Sequence, residues 1–70
     1  MTARTATFEV TADYRPRSDK SPRYYFRTDK GKGWVERFFG AAYPWLKIYG
    51  IRQLREDELT ASARERAIDI

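Results

Sequence analysis

The sequence predicts an α+β fold: one small domain in which an antiparallel sheet packs against a single helix in the order β-β-α-β, followed by a short C-terminal helix. Three observations predict it. Residues 5–14 alternate between apolar and polar side chains, residues 34–43 repeat large apolar side chains at a spacing of four, and clusters of Pro, Gly, Ser and Asp separate the periodic segments. Seventy residues make one domain, since a chain of this size buries only about 60% of the surface its unfolded form exposes.

The first strand places Phe8, Val10, Ala12 and Tyr14 on one face and Thr7, Glu9, Thr11 and Asp13 on the other. Pro16 and Pro22, with Ser18, Asp19 and Ser21 between them, cannot continue a ladder, so residues 15–22 form a basic loop. Residues 23–28 are the second strand, antiparallel to the first. With Tyr24 and Phe26 turned toward the core beside Phe8 and Val10, the pleat sends Arg23, Tyr25 and Arg27 together to the opposite face. Gly31 and Gly33 end that strand.

Residues 34–43 carry apolar pairs at 34/35 and 38/39 and an apolar residue at 42, a helical period supported by Ala41-Ala42 and stopped by Tyr43-Pro44. Gly40 opposes a helix by about 1 kcal/mol relative to alanine. A returning strand is the alternative for the same residues. Leu46 to Leu54 reads as the third strand. In the tail, Leu59, Ala63 and Ala67 fall at a spacing of four, Ser62 and Glu65 stand in capping-box relation, and Glu56-Asp57-Glu58 offers a negative helix start. Residues 1–4 and 66–70 are expected to fray.

Hydrophobic residues are 41% of the chain and aromatics 16%, so rings must contribute much of the buried area. Trp34, Phe38, Phe39 and Trp45 are therefore assigned to the core, with room for one tryptophan outside it. The chain has no cysteine and no histidine. That excludes a disulfide framework and a thiolate metal site, and removes the commonest general base and zinc ligand. Glu9, Asp13 and Glu36 read as solvated surface carboxylates, alone on polar faces without a spaced acidic partner. No catalytic residue, metal or cofactor is expected, and the chain reads as a binding protein rather than an enzyme. No apolar run approaches the roughly 20 residues of a membrane helix, nor the shorter core of a signal peptide, so the cytoplasm is the expected location.

The formal net charge is +4, and the excess lies in the first half: residues 1–37 carry nine Lys/Arg against five Asp/Glu, and residues 38–70 carry five of each. Between Arg15 and Lys32 seven cations face only Asp19 and Asp29. Cations track phosphates and an exposed ring stacks on a base, so Arg15, Arg17, Arg23, Tyr25, Arg27, Lys30 and Lys32 are the candidate nucleic-acid-binding residues. Lys30-Gly31-Lys32-Gly33 lacks the spacing of a Walker motif, but ahead of a helix it leaves free N–H groups beside two lysines, enough for one phosphate.

Tyr25-Phe26-Arg27-Thr28-Asp29-Lys30-Gly31-Lys32-Gly33-Trp34-Val35 resembles the first RNA-binding motif of cold-shock domains over eleven residues. Tyr25, Phe26, Lys30, Gly31, Gly33, Trp34 and Val35 fit that pattern. Lys32 stands where the family has a stacking aromatic, and the family's second motif has no counterpart downstream. The resemblance implies stacking rings on a β-barrel and a strand over 34–39, against the helix that the spacing implies. The expected partner is DNA or RNA. The alternative is a protein partner, with this chain as a small inhibitor or adaptor from a mobile element, and a homodimer that covers a thin core is a third arrangement.

Overall fold

A computed structural model describes residues 5–70; the fraying expected of residues 1–4 lies outside the described residues. The chain runs through β1 (Ala6–Asp13), β2 (Arg23–Thr28), α1 (Lys32–Ala42), β3 (Lys47–Gln53), a 3-10 turn at Glu56–Glu58, α2 (Ala61–Arg66) and β4 (Ile68–Asp69). The fold is α+β, with one helix packed on a four-stranded sheet in the order β3-β1-β2-β4.

β1 is the central partner, antiparallel to both β2 and β3, so α1 carries the chain across it from one side to the other. Phe8 faces Phe26 and Val10 faces Tyr24 across the first pair; Val10 faces Ile51 and Ala12 faces Ile48 across the second. The register with β3 shifts between Thr11 and Ala12, which leaves Tyr49 as the extra residue of a bulge.

Residues 34–39 belong to α1, so the strand implied by the cold-shock resemblance does not form and neither does a barrel. The deciding interaction is burial. Val35 and Phe39, one turn apart, are fully buried against Phe8, Val10, Ala12 and Phe26. Burying two such side chains contributes about 1.5–3 kcal/mol each, more than the roughly 1 kcal/mol that exposed Gly40 costs. Rings complete the layer. Phe26 meets Phe38 and Phe39 edge-on at 5.8 and 5.9 Å, Tyr24 lies 5.4 Å from Phe39, and Trp34 stacks on Phe38 one turn away. Gly31 precedes the helix at φ 86, a conformation that favours glycine, and its carbonyl accepts from the Val35 N–H.

Trp45 is the tryptophan that lies outside the core, and Tyr14 does not continue the buried face of β1. Trp45 is 66% exposed because α1 ends at Ala42 and β3 begins at Lys47, which leaves Trp45 in the connection, resting edge-on against Tyr43. Tyr14 is 72% exposed because β1 stops at Asp13, one residue before the alternation would bury it.

The tail differs most from expectation. Thr60, not Ser62, caps α2: its hydroxyl accepts from the Ala63 N–H at 3.1 Å. Ile68 and Asp69, within the stretch expected to fray, pair in parallel with Phe26 and Arg27, and the Ile70 N–H donates to the Arg27 carbonyl. The sheet is thus mixed rather than purely antiparallel.

Replacing Phe39 with alanine is expected to lower unfolding free energy by about 3–5 kcal/mol, most of the stability available to so small a domain. Trp45→Ala should change it by less than about 1 kcal/mol. Urea denaturation followed by circular dichroism measures both, and a small effect at Phe39 would contradict this packing.

Candidate functional site

The face of the sheet opposite α1 carries Thr7, Glu9 and Thr11 from β1, with Arg27, Tyr25 and Arg23 beside them in that order on β2. Arg23, Tyr25 and Arg27 therefore share one face, as the pleat requires. The tail covers part of it. Thr7, Leu54 and Ala63 are buried, the Leu54 N–H donates to the Thr7 carbonyl, and the Arg66 guanidinium lies 5.1 Å over the Tyr25 ring. Arg66 also donates to the Arg23 carbonyl at 2.7 Å. The tail thus closes the end near Thr7 and Arg27 and leaves the end near Thr11 and Arg23 open.

This arrangement divides the seven candidate residues. Arg27 pairs with Asp69, Nε lying 2.9 Å from Oδ1, so its charge is locally cancelled. Tyr25 is half-buried, donates its hydroxyl to Glu9 at 3.3 Å and has one ring face under Arg66. Lys30 and Lys32 stand beyond the far end of β2, roughly 17 Å along the strand from Arg23. Lys30 lies 4.8 Å over the Trp34 ring, and the first turn of α1 has no side-chain cap. Neither lysine joins the arginines.

Arg17 and Arg23 do come together, at the end of the sheet where β1 leaves and β2 and β3 enter, with Arg15 two residues before Arg17 in the same loop. Arg17, Arg23 and Thr11 line two adjoining recesses of about 380 and 300 Å³, the first completed by Ser18, Asp19 and Ser21 and the second by Glu9, Gly50 and Arg52. The loop holds its shape locally: the Ser18 N–H donates to the Ser21 hydroxyl, the Lys20 N–H to the Ser18 hydroxyl, and the Ser21 N–H to the Ser18 carbonyl. The Tyr49 hydroxyl donates to the Arg15 carbonyl at 3.0 Å, tying the loop to the bulge of β3.

Sequence density alone missed Lys47. It stands opposite Asp13 in the β1–β3 register, so it arrives beside the loop from 25 residues further along than Pro22. Only the strand pairing reveals this, because Lys47 has no basic neighbour in sequence. With Lys20 the basic end holds Arg15, Arg17, Lys20, Arg23 and Lys47 against Asp13 and Asp19, and Glu9, which lines the second recess, is paired with Arg52. Asp13, expected on the solvated surface, is instead buried and engaged: its Oδ1 accepts from the Arg15 N–H at 3.1 Å and lies 3.4 Å from Arg15 Nε. Arg17, Lys20, Arg23 and Lys47 form no ion pair among the described residues.

A second charged group balances itself. Arg52 bridges Glu9 at 3.2 Å and Glu58, and Arg55 lies near Asp57 and Glu58. Hydrogen bonds to both glutamates hold Arg52 above its ordinary value, while the Arg55 N–H and the Arg52 side chain hold Glu58 below its own. A recess of about 480 Å³ lies beneath the tail among Thr7, Arg27, Leu54, Glu56, Leu59 and Arg64, and mixes both signs of charge. Among the described residues no cluster of acidic side chains is suited to hold a metal, and no helix is long and apolar enough to cross a membrane.

The chain was compared with models of known protein families, with curated proteins and with solved structures, and it matches none of them.

The Asp13 carboxyl is held below its ordinary value of 3.8, first by the Arg15 N–H, then by the Arg15 charge and the Ser21 hydroxyl, with burial opposing them. A carboxyl that gives up its proton more readily in the folded state stabilises the fold above that ordinary value. The contribution is lost as pH falls through the lowered one. Asp13→Asn should therefore be less stable at neutral pH and lose less stability than the parent below about pH 4. Urea midpoints at both pH values measure this, and equally steep losses would remove Asp13 as a source of the acid sensitivity.

Proposed function

We propose that this protein is a small, non-enzymatic nucleic-acid-binding accessory protein that contacts backbone phosphates through the basic end of its sheet. The observation that carries the reading is the convergence of Arg15, Arg17, Lys20, Arg23 and Lys47 from three segments, with four of the five cations outside any ion pair among the described residues. Held cations of one sign around shallow recesses attract a polyanion, and each phosphate they neutralise releases condensed counterions. Arginine adds directional, two-pronged donation to phosphate oxygens. Hydroxyls of Thr11, Ser18 and Ser21 line the same recesses and are of the type that fixes a backbone without reading sequence. The working location is the cytoplasm, where the absence of cysteine costs a protein nothing.

A second reading has its own observation. Among the described residues β3 has β1 on one side and no strand on the other, so its outer edge can accept an added strand from a protein partner or from a second copy of this chain. In that reading the protein is a small inhibitor or adaptor, of the kind mobile elements carry. Purification of one stoichiometric protein after nuclease treatment, or a dimeric mass by light scattering, would favour it over polyanion binding.

With about four phosphates contacted, affinity for an oligonucleotide should fall roughly fifty- to hundredfold between about 50 and 200 mM salt. Arg17→Ala/Arg23→Ala should weaken binding and flatten its salt dependence. Arg27→Ala and Lys30→Ala/Lys32→Ala should change it little. Fluorescence anisotropy reads all three; salt-independent binding, or loss confined to the Lys30/Lys32 variant, overturns this assignment.

A further inference from the structure

We infer that the nucleic acid this surface takes is single-stranded, with bases stacking on Trp45 and Tyr14; the inference rests on the phosphate contacts proposed above and adds the rings that select the strand. Tyr14, Trp45 and Ile68 are the exposed large hydrophobic residues among those described, and the two rings stand at the basic end of the sheet. Tyr14 follows Asp13, which pairs with Lys47, and Trp45 precedes Lys47 by two residues. Both therefore flank the pairing that brings Lys47 to the loop arginines.

Each ring is supported without being buried. Trp45 meets Tyr43 at 5.7 Å and 78°, and Tyr43 in turn stacks on Tyr24 in the layer beneath α1. Tyr14 is followed by Arg15, whose carbonyl is fixed by the Tyr49 hydroxyl and whose guanidinium lies 5.1 Å from the Tyr14 ring. An anchored ring loses little freedom when a base settles on it.

The choice of ligand follows from charge and geometry together. An exposed tryptophan beside unpaired cations complements a chain that alternates flat apolar rings with negative groups, and a single-stranded polynucleotide is such a chain. In a duplex each base has both faces occupied by its neighbours and is reached only at its edges, so the same rings would find no face to cover. Tyr25, the ring singled out by sequence density, is half-buried with its hydroxyl on Glu9, whereas Tyr14 stays 72% exposed with Arg15 over it. Trp45 and Tyr14 offer their rings beside the Asp13–Lys47 pairing, where Arg15 and Lys47 can hold the flanking phosphates.

The test uses the full chain with Trp34→Phe, so that Trp45 alone reports tryptophan emission, titrated with a homothymidine strand of about a dozen nucleotides and with a duplex of equal phosphate number. The expected result is quenching of Trp45 by the single strand and at least about tenfold tighter binding of it than of the duplex. Trp45→Ala, confirmed as folded by circular dichroism, should weaken single-strand binding about five- to hundredfold and leave duplex binding unchanged, and Tyr14→Ala should act in the same direction. Equal affinity for both polymers, or full single-strand affinity in Trp45→Ala, overturns the stacking inference while salt-sensitive binding keeps the phosphate reading in place. Failure to bind either polymer removes both. A dimer dispersed by Trp45→Ala would assign the rings to a second copy of the chain and overturn the inference.

Discussion

The structure depends on one contact, the seating of Val35 and Phe39 on the face of the sheet built from Phe8, Val10, Ala12 and Phe26. A chain this short has a single layer in which to exclude water, and aromatic side chains fill it because each removes more apolar area than an aliphatic one. That layer fixes α1 above β1, which in turn sets where β3 enters and brings Lys47 beside Asp13. The basic end of the sheet is thus a product of core packing, although none of its cations lies in the core.

The second face is organised by polar contacts. Glu9 accepts from both Tyr25 and Arg52, and Arg66 reaches across the Tyr25 ring to the Arg23 carbonyl. Exposed ion pairs such as Arg27–Asp69 contribute little to stability, about 0–1 kcal/mol, yet they decide where net charge remains. Half of this face is made electrically quiet by the tail. The other half keeps Arg17 and Arg23 unmatched.

Much of this architecture was legible in the sequence, and the exceptions share a physical cause. Alternation in residues 5–14 and the spacing of 34/35, 38/39 and 42 identified β1 and α1, because each pattern reports a face buried by the element itself. Arg23, Tyr25 and Arg27 were placed on one face for the same reason. What local pattern cannot report is what arrives from elsewhere: Asp69 at Arg27, Arg66 at Tyr25 and Lys47 at the loop are joined to their partners only by strand pairing and by the path of the tail. Tyr14 falls outside the core because β1 stops one residue short of it, and Trp45, in the connection between α1 and β3, is the tryptophan the core leaves out.

The parallel pairing of β4 with β2 joins residues 42 positions apart, Arg27 to Asp69. Bringing such distant positions together carries a loop-closure cost that few local contacts offset until the intervening chain is already ordered. The final strand is therefore the last part of the molecule to gain by assembling. A nascent or partly denatured chain would own its helix and hairpin before it owned its fourth strand.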